Sequence, residues 1–149
     1  MQLSTSEKAF LFRTNKIGIP KSVASLLANP RILKIGAATK DDIDTLRAVS
    51  PFEPRGILDL QPLVRSYGVE QLGLKNIAAL FLGFKISKGQ QLSNWENDVL
   101  TVPQQVYAAT DAWVCLEIYK EIERAGYLQN PPKIVIPQII ETDLPSETI

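Results

Sequence analysis

Apolar residues along this chain fall first into short runs and then, toward the C-terminus, into helical spacing. Ala9-Phe10-Leu11-Phe12, after the polar turn Ser4-Thr5-Ser6-Glu7, predicts a short strand. Pro20 opens a helix through Val23, Leu26 and Leu27 that Asn29-Pro30 ends. Arg31 to Ala37 predicts a second strand, followed by a short helix with Asp41 and Asp42 in its first turn and Ile43 and Leu46 on its buried side. Gly56 to Leu60 predicts a third strand, and helices are expected over Gln61–Tyr67 and Leu74–Leu82.

The segment from Gly83 to Leu100 is polar and irregular, with Lys85, Lys88, Ser93, Asn94 and Trp95. A long helix follows, from Val102 to Ala125. Thr101 and Gln104 have capping-box spacing, in which each side chain satisfies a free backbone N–H of the other, and Gly126 is placed to end the helix. Strands alternating with helices indicate an α/β layered fold. From Gln129 onward Pro131, Pro132, Pro137 and Pro145 predict an extended or disordered tail, with Lys133 to Ile140 apolar enough to lie against the domain. The division is a domain over residues 1–127 and a tail over 128–149.

On the long helix Tyr107, Asp111, Val114, Ile118 and Ile122 follow at spacings of four, three, four and four, so they share one face. Three of them are aliphatic and mark that face as buried. Asp111 therefore continues an apolar stripe, and burying a carboxylate is costly unless a cation or strong donors meet it. Two readings stand at this point: a rim carboxylate that accepts a hydrogen bond, or a metal ligand with the Tyr107 hydroxyl beside the reacting centre.

The totals narrow the chemistry. The 149 residues suit one domain with a proper core, and 45% apolar with 21% charged residues is ordinary for a globular protein. Lys plus Arg equals Asp plus Glu, which argues against a general polyanion binder. The absence of histidine excludes Ser-His-Asp triads and most zinc sites. With Cys115 the only cysteine, no intrachain disulfide forms; a cytoplasmic setting is expected, and neither a signal-peptide pattern nor a membrane-spanning apolar run is present.

Ser93-Asn94-Trp95, Leu100-Thr101, Gln104 and Tyr107-Ala108-Ala109-Thr110-Asp111-Ala112 together resemble the third motif of the DEDD 3′-5′ exonucleases. The tyrosine four residues before the aspartate resembles the tyrosine-bearing subgroup, of the ribonuclease D and Werner-exonuclease kind. Lys34-Ile35-Gly36, Asp42 and Leu46 are similar to the second motif, while Leu58-Asp59, Gly73-Leu74-Lys75 and Lys88 fall at matching places. The resemblance spans about residues 2 to 126. It implies a ribonuclease-H-like mixed sheet flanked by helices, and hydrolysis of DNA or RNA from the 3′ end by two divalent ions, Mg²⁺ or Mn²⁺. By the same resemblance Asp111 is a direct metal ligand, Asp42 holds the second ion through water, and Tyr107 orients the attacking water. Lys88, Ser93 and Asn94 are candidates for contact with the nucleic acid.

Other matched residues have plainer readings. Asp59 is expected as a cap or loop anchor, Asp41 as a helix cap, and Trp95 and Cys115 as packing groups. No Asp-x-Glu pair, the family's first motif, occurs in residues 1–30, where Glu7 is the only acidic residue. The expectation is an N-terminally truncated domain that binds metal weakly or not at all and cuts poorly. Three accounts fit: an internal Met1 with sequence upstream, completion by the tail or by strand exchange with a second copy, or a relative that binds nucleic acid or protein without cutting.

Overall fold

The computed structural model describes residues 1–130. Four short strands and six helices follow in the order β1 (Gln2–Ser4), β2 (Ala9–Leu11), α1 (Thr14–Ile17), α2 (Lys21–Ala28), β3 (Lys34–Gly36), α3 (Thr39–Val49), β4 (Ile57–Asp59), α4 (Leu60–Ser66), α5 (Leu74–Leu82) and α6 (Val102–Arg124). The predicted tail lies, from residue 131, outside the described residues. No helix among them is long and apolar enough to cross a membrane.

β1 and β2 form an antiparallel hairpin with Leu3 opposite Phe10, closed by the Thr5 N–H donating to the Lys8 carbonyl at 2.8 Å. β3 and β4 pair in parallel with Ile35 opposite Leu58, and α3 makes the crossover between them. Both pairing senses of a mixed sheet are present, but in two separate two-stranded pieces rather than one sheet. The 23-residue α6, about 35 Å long at helical rise, packs across β1, β2 and β3 and against α5.

The core is divided in the same way. Leu60, Val64, Ile77, Val114, Ile118 and Ile122 are fully buried together, with Ile35 and Leu58 of the parallel pair packed on them. A smaller cluster of Ile19, Val23 and Leu27 gathers Leu3, Phe12, Leu46 and Phe52 on the hairpin's side. Val114, Ile118 and Ile122 are the residues whose spacing predicted the buried face of the long helix.

Several boundaries differ from the sequence expectation. The second strand is only Lys34–Gly36: Arg31 to Leu33 are exposed and lead out of a turn in which the Arg31 N–H donates to Asn29 Oδ1 at 2.9 Å. The third strand ends at Asp59, and Leu60 already begins α4. β1 and α1 were not anticipated. Gly56 stands at φ +63°, and a Cβ there would come within 2.7 Å of the Ile32 carbonyl oxygen, so glycine is needed where β4 begins.

Asp41 does not cap α3, and neither does Asp42; both lie inside its first turn. The helix starts after Ala38, in the left-handed region at φ 58°, and its free N–H groups are met by Asp59 from the next strand. Asp59 accepts from the backbone of Ala38 (3.1 Å) and Thr39 (2.7 Å), from Thr39 Oγ1 (3.1 Å) and from the Gln61 N–H of its own helix (2.9 Å). One carboxylate thereby starts both α3 and α4, as a cap and anchor.

Candidate active site

The site is built from the beginning of α6. Thr101 Oγ1 accepts the Gln104 N–H at 3.4 Å, and Gln104 Oε1 accepts the Thr101 N–H at 2.9 Å, completing the predicted capping box. Gln104 is 2% exposed, and its Nε2 donates to Ser93 Oγ and to the Asn94 carbonyl, each at 3.0 Å. The loop before the helix is thus tied to a side chain inside it.

Further along the same face, Tyr107 and Asp111 line a cavity of about 480 Å³ together with Met1, Arg13, Asn15 and Trp95. The Trp95 ring lies 6.1 Å from that of Tyr107, tilted by 46°. Both Tyr107 and Asp111 are half-buried. Burial pushes the Asp111 carboxyl above its ordinary range, and the Tyr107 hydroxyl, donating toward it, partly opposes that shift. The Tyr107 phenol is itself raised, first by burial and then by the Asp111 charge, which keeps it protonated.

Asp42 sits apart from this cavity's lining, on the exposed first turn of α3. Its carboxyl is pushed upward, first by partial burial; the Met1 ammonium opposes the shift and Asp41 adds to it. Met1 also lines the cavity of Asp111. Lys88, Ser93 and Asn94 do not line the cavity. Ser93 Oγ donates to the Gln90 carbonyl at 2.8 Å, Asn94 Oδ1 accepts the Glu96 N–H at 3.0 Å, and Lys88 is exposed.

Among the described residues no three of His, Cys, Asp and Glu come together in a way that could hold a metal ion. Asp111 and Asp42 are too few for two ions that each prefer about six oxygen ligands. The donor set of these residues by itself does not fit a two-metal centre.

Residues 1–126 match the family model described as 3'-5' exonuclease. The chain belongs to that family. It is 34% identical over 101 residues to ribonuclease D of Haemophilus influenzae, covering 67% of this chain and 25% of that protein. The Aedes aegypti Nibbler EXO domain superimposes with a TM-score of 0.69 at 29% identity, over 86% of this chain and 71% of that one. Brucella melitensis NrnC gives 0.59 at 28% identity in its form bound to pGG and 0.57 at 28% in its form with bound Mg²⁺, each over 72% of this chain and 54% of NrnC. The fold is that of the ribonuclease-H-like exonuclease domains. The chain spans between 16% and 35% of the length of the first curated relatives it matches.

Two features of this arrangement escaped the sequence. Arg13, after an apolar strand, gave no sign that its partners lie more than 80 residues away. Asp59 was expected as an anchor, but nothing local to it indicated that it caps a helix 20 residues earlier.

Proposed function

We propose that this chain supplies part of the active site of a metal-dependent 3′-5′ exonuclease that hydrolyses phosphodiester bonds at the 3′ end of a DNA or RNA strand. The observation that carries this reading is the Asp111 carboxylate and the Tyr107 hydroxyl, one helical turn apart on the apolar face of α6, opening into one cavity. A half-buried carboxylate there costs stability unless a cation or strong donors meet it, and a bound cation would meet it most fully. Family membership and the Mg²⁺-bound and pGG-bound NrnC neighbours support the same chemistry.

In this reading Asp111 and Asp42 are metal ligands, Asp111 directly and Asp42 through water. Tyr107 stays protonated and orients the attacking water as a hydrogen-bonding group rather than as a base. Mg²⁺ or Mn²⁺ would supply the charge that stabilises the attacking and leaving oxygens. The remaining ligands come from an Asp-x-Glu segment outside these 149 residues. β1 and β3 lie on α6 without pairing to each other, and an extended segment between them would satisfy both edges and join the two cores. The same polypeptide can supply it, or a second copy can fill the slot by strand exchange. The lone, buried Cys115 fits a reducing, cytoplasmic setting.

The competing reading is a noncatalytic module that binds nucleic acid or protein, favoured by the absence of any three-acid cluster among the described residues. Mn²⁺-dependent shortening of a 5′-labelled single strand separates the two. Residues 1–149 alone should be inactive or nearly so, and a form extended by an Asp-x-Glu segment should cut. Robust cleavage by the unextended chain, or binding without cleavage by both, contradicts the proposal.

A further inference from the structure

The 19 residues between α5 and α6, Gly83 to Thr101, contain no helix or strand, yet they carry Trp95, one wall of the cavity. Segments of that length without regular structure are uncommon in compact domains and tend to serve binding or catalysis. Such a wall holds its place only through specific ties. One has been described: buried Gln104 holds Ser93 and Asn94. The next four residues are held by Arg13 and the start of α1.

Arg13 makes most of that second tie. Its Nη2 donates to the carbonyls of Trp95 (3.3 Å) and Asn97 (2.5 Å), and its Nη1 to the carbonyl of Asp98 (3.4 Å). Asn15 Nδ2 donates to Glu96 Oε2 at 2.6 Å, and Lys16 pairs with Asp98. Three residues of the N-terminal segment, Arg13, Asn15 and Lys16, thus grip residues 95 to 98. The Arg13 guanidinium is planar and forked, so it can serve several carbonyls at once, which a lysine ammonium on a flexible stem does poorly.

An arginine lining a nuclease cavity invites assignment as a phosphate contact. Here its terminal nitrogens already face backbone oxygens, and those oxygens belong to the loop that presents Trp95 to Tyr107. We infer that Arg13 is a positioning residue: it fixes the 95–98 loop so that the Trp95 ring holds the Tyr107 phenol at the cavity wall. The inference rests on the exonuclease reading for its effect on rate. Loss of Arg13 frees the Trp95 and Asn97 carbonyls and leaves the loop tied through Asn94 on one side and, past Trp95, only through the Glu96 and Asp98 side chains. The phenol then loses a fixed partner on one side of its packing.

Arg13→Gln and Arg13→Lys, made in the cleaving, segment-extended form, test this. Because an error near 1 Å in a catalytic group can cost up to ~100-fold in rate, kcat should fall about 10- to 100-fold with either variant. KM, and the slope of its logarithm against that of salt concentration, should stay unchanged. Added guanidinium should restore part of the rate of Arg13→Ala. A phosphate contact gives the opposite pattern: KM rises, the salt slope falls by about one, and kcat is retained; that result overturns the inference. Trp95 emission, read in a Trp113→Phe background of residues 1–149, supplies an arm that needs no activity. Arg13→Gln should shift it to the red, and an unchanged spectrum overturns the inference. If the unmutated extended form fails to cut, the exonuclease reading fails, and the emission arm decides the clamp by itself.

Discussion

The Asp59 carboxylate accepts the Thr39 N–H at 2.7 Å, so a residue at the end of β4 begins the helix that carries Asp42. It also caps its own helix through Gln61. A single cap is worth about 1 kcal/mol, and Asp59→Ala removes two while leaving Ala38 and Thr39 N–H groups without their acceptor. We expect a loss of about 2–3 kcal/mol in urea unfolding of residues 1–149. Amide exchange should quicken most at the start of α3. A loss no larger than that of an exposed surface substitution would refute the double cap.

Gln104 is the corresponding anchor on α6. Its amide closes the capping box and holds Ser93 and Asn94, all from a buried position. Gln104→Ala leaves several of these groups unpaired at once, at about 1–3 kcal/mol for a buried unsatisfied group. The predicted outcome is destabilisation in that range with raised protease sensitivity in residues 83–100.

Tyr67 offers a test of the opposite sign. Its ring is buried against Tyr127, and among the described residues its hydroxyl oxygen has no hydrogen-bond partner. Tyr67→Phe removes an unmet polar atom at almost constant shape, so stability should be unchanged or raised by up to about 1 kcal/mol. A loss above that in thermal unfolding would mean the hydroxyl has a partner.

Cys115 sits in the core, and burial above all, with the Asp111 and Asp59 charges adding, pushes its thiol from 9.0 up to about 12. Only the thiolate reacts with alkylating reagents. Native protein should therefore resist iodoacetamide at pH 8, and unfolded protein should label readily. The raised value also sets a sign for stability. The thiol's contribution is complete below about pH 9 and is lost as pH rises toward about 12, because the unfolded chain releases its proton first. Fast labelling of the native chain at pH 8 would contradict the burial.

Much of this was legible where the code is local. The Thr101/Gln104 box, the aliphatic face of α6 and the bounds of α5 follow from spacing within a few residues. β1 was not legible: Gln2-Leu3-Ser4 has one apolar residue, and it is a strand because it pairs with Ala9–Leu11. α1 (Thr14–Ile17), with Arg13 just before it, is held by partners at residues 95–98, which no window of the sequence brings together. The Arg31–Leu33 end of the predicted second strand failed for the converse reason. Its apolar residues have strand propensity but no neighbour to pair with, and Ile32 and Leu33 remain exposed. For the site, the pattern placed Asp111 and Tyr107 on one face, while their shared cavity needed the fold.

The central claim is that Asp111 lies on the apolar face of α6 to serve catalysis rather than stability. Asp111→Asn in the segment-extended form, assayed with Mn²⁺ on a 5′-labelled single strand beside its own thermal unfolding, tests it most directly. The account predicts that 3′-end shortening falls by at least about 100-fold while the melting temperature is unchanged or higher, since a half-buried charge has been removed. Cleavage that persists in Asp111→Asn, or activity lost only in step with a collapse of the fold, would contradict it.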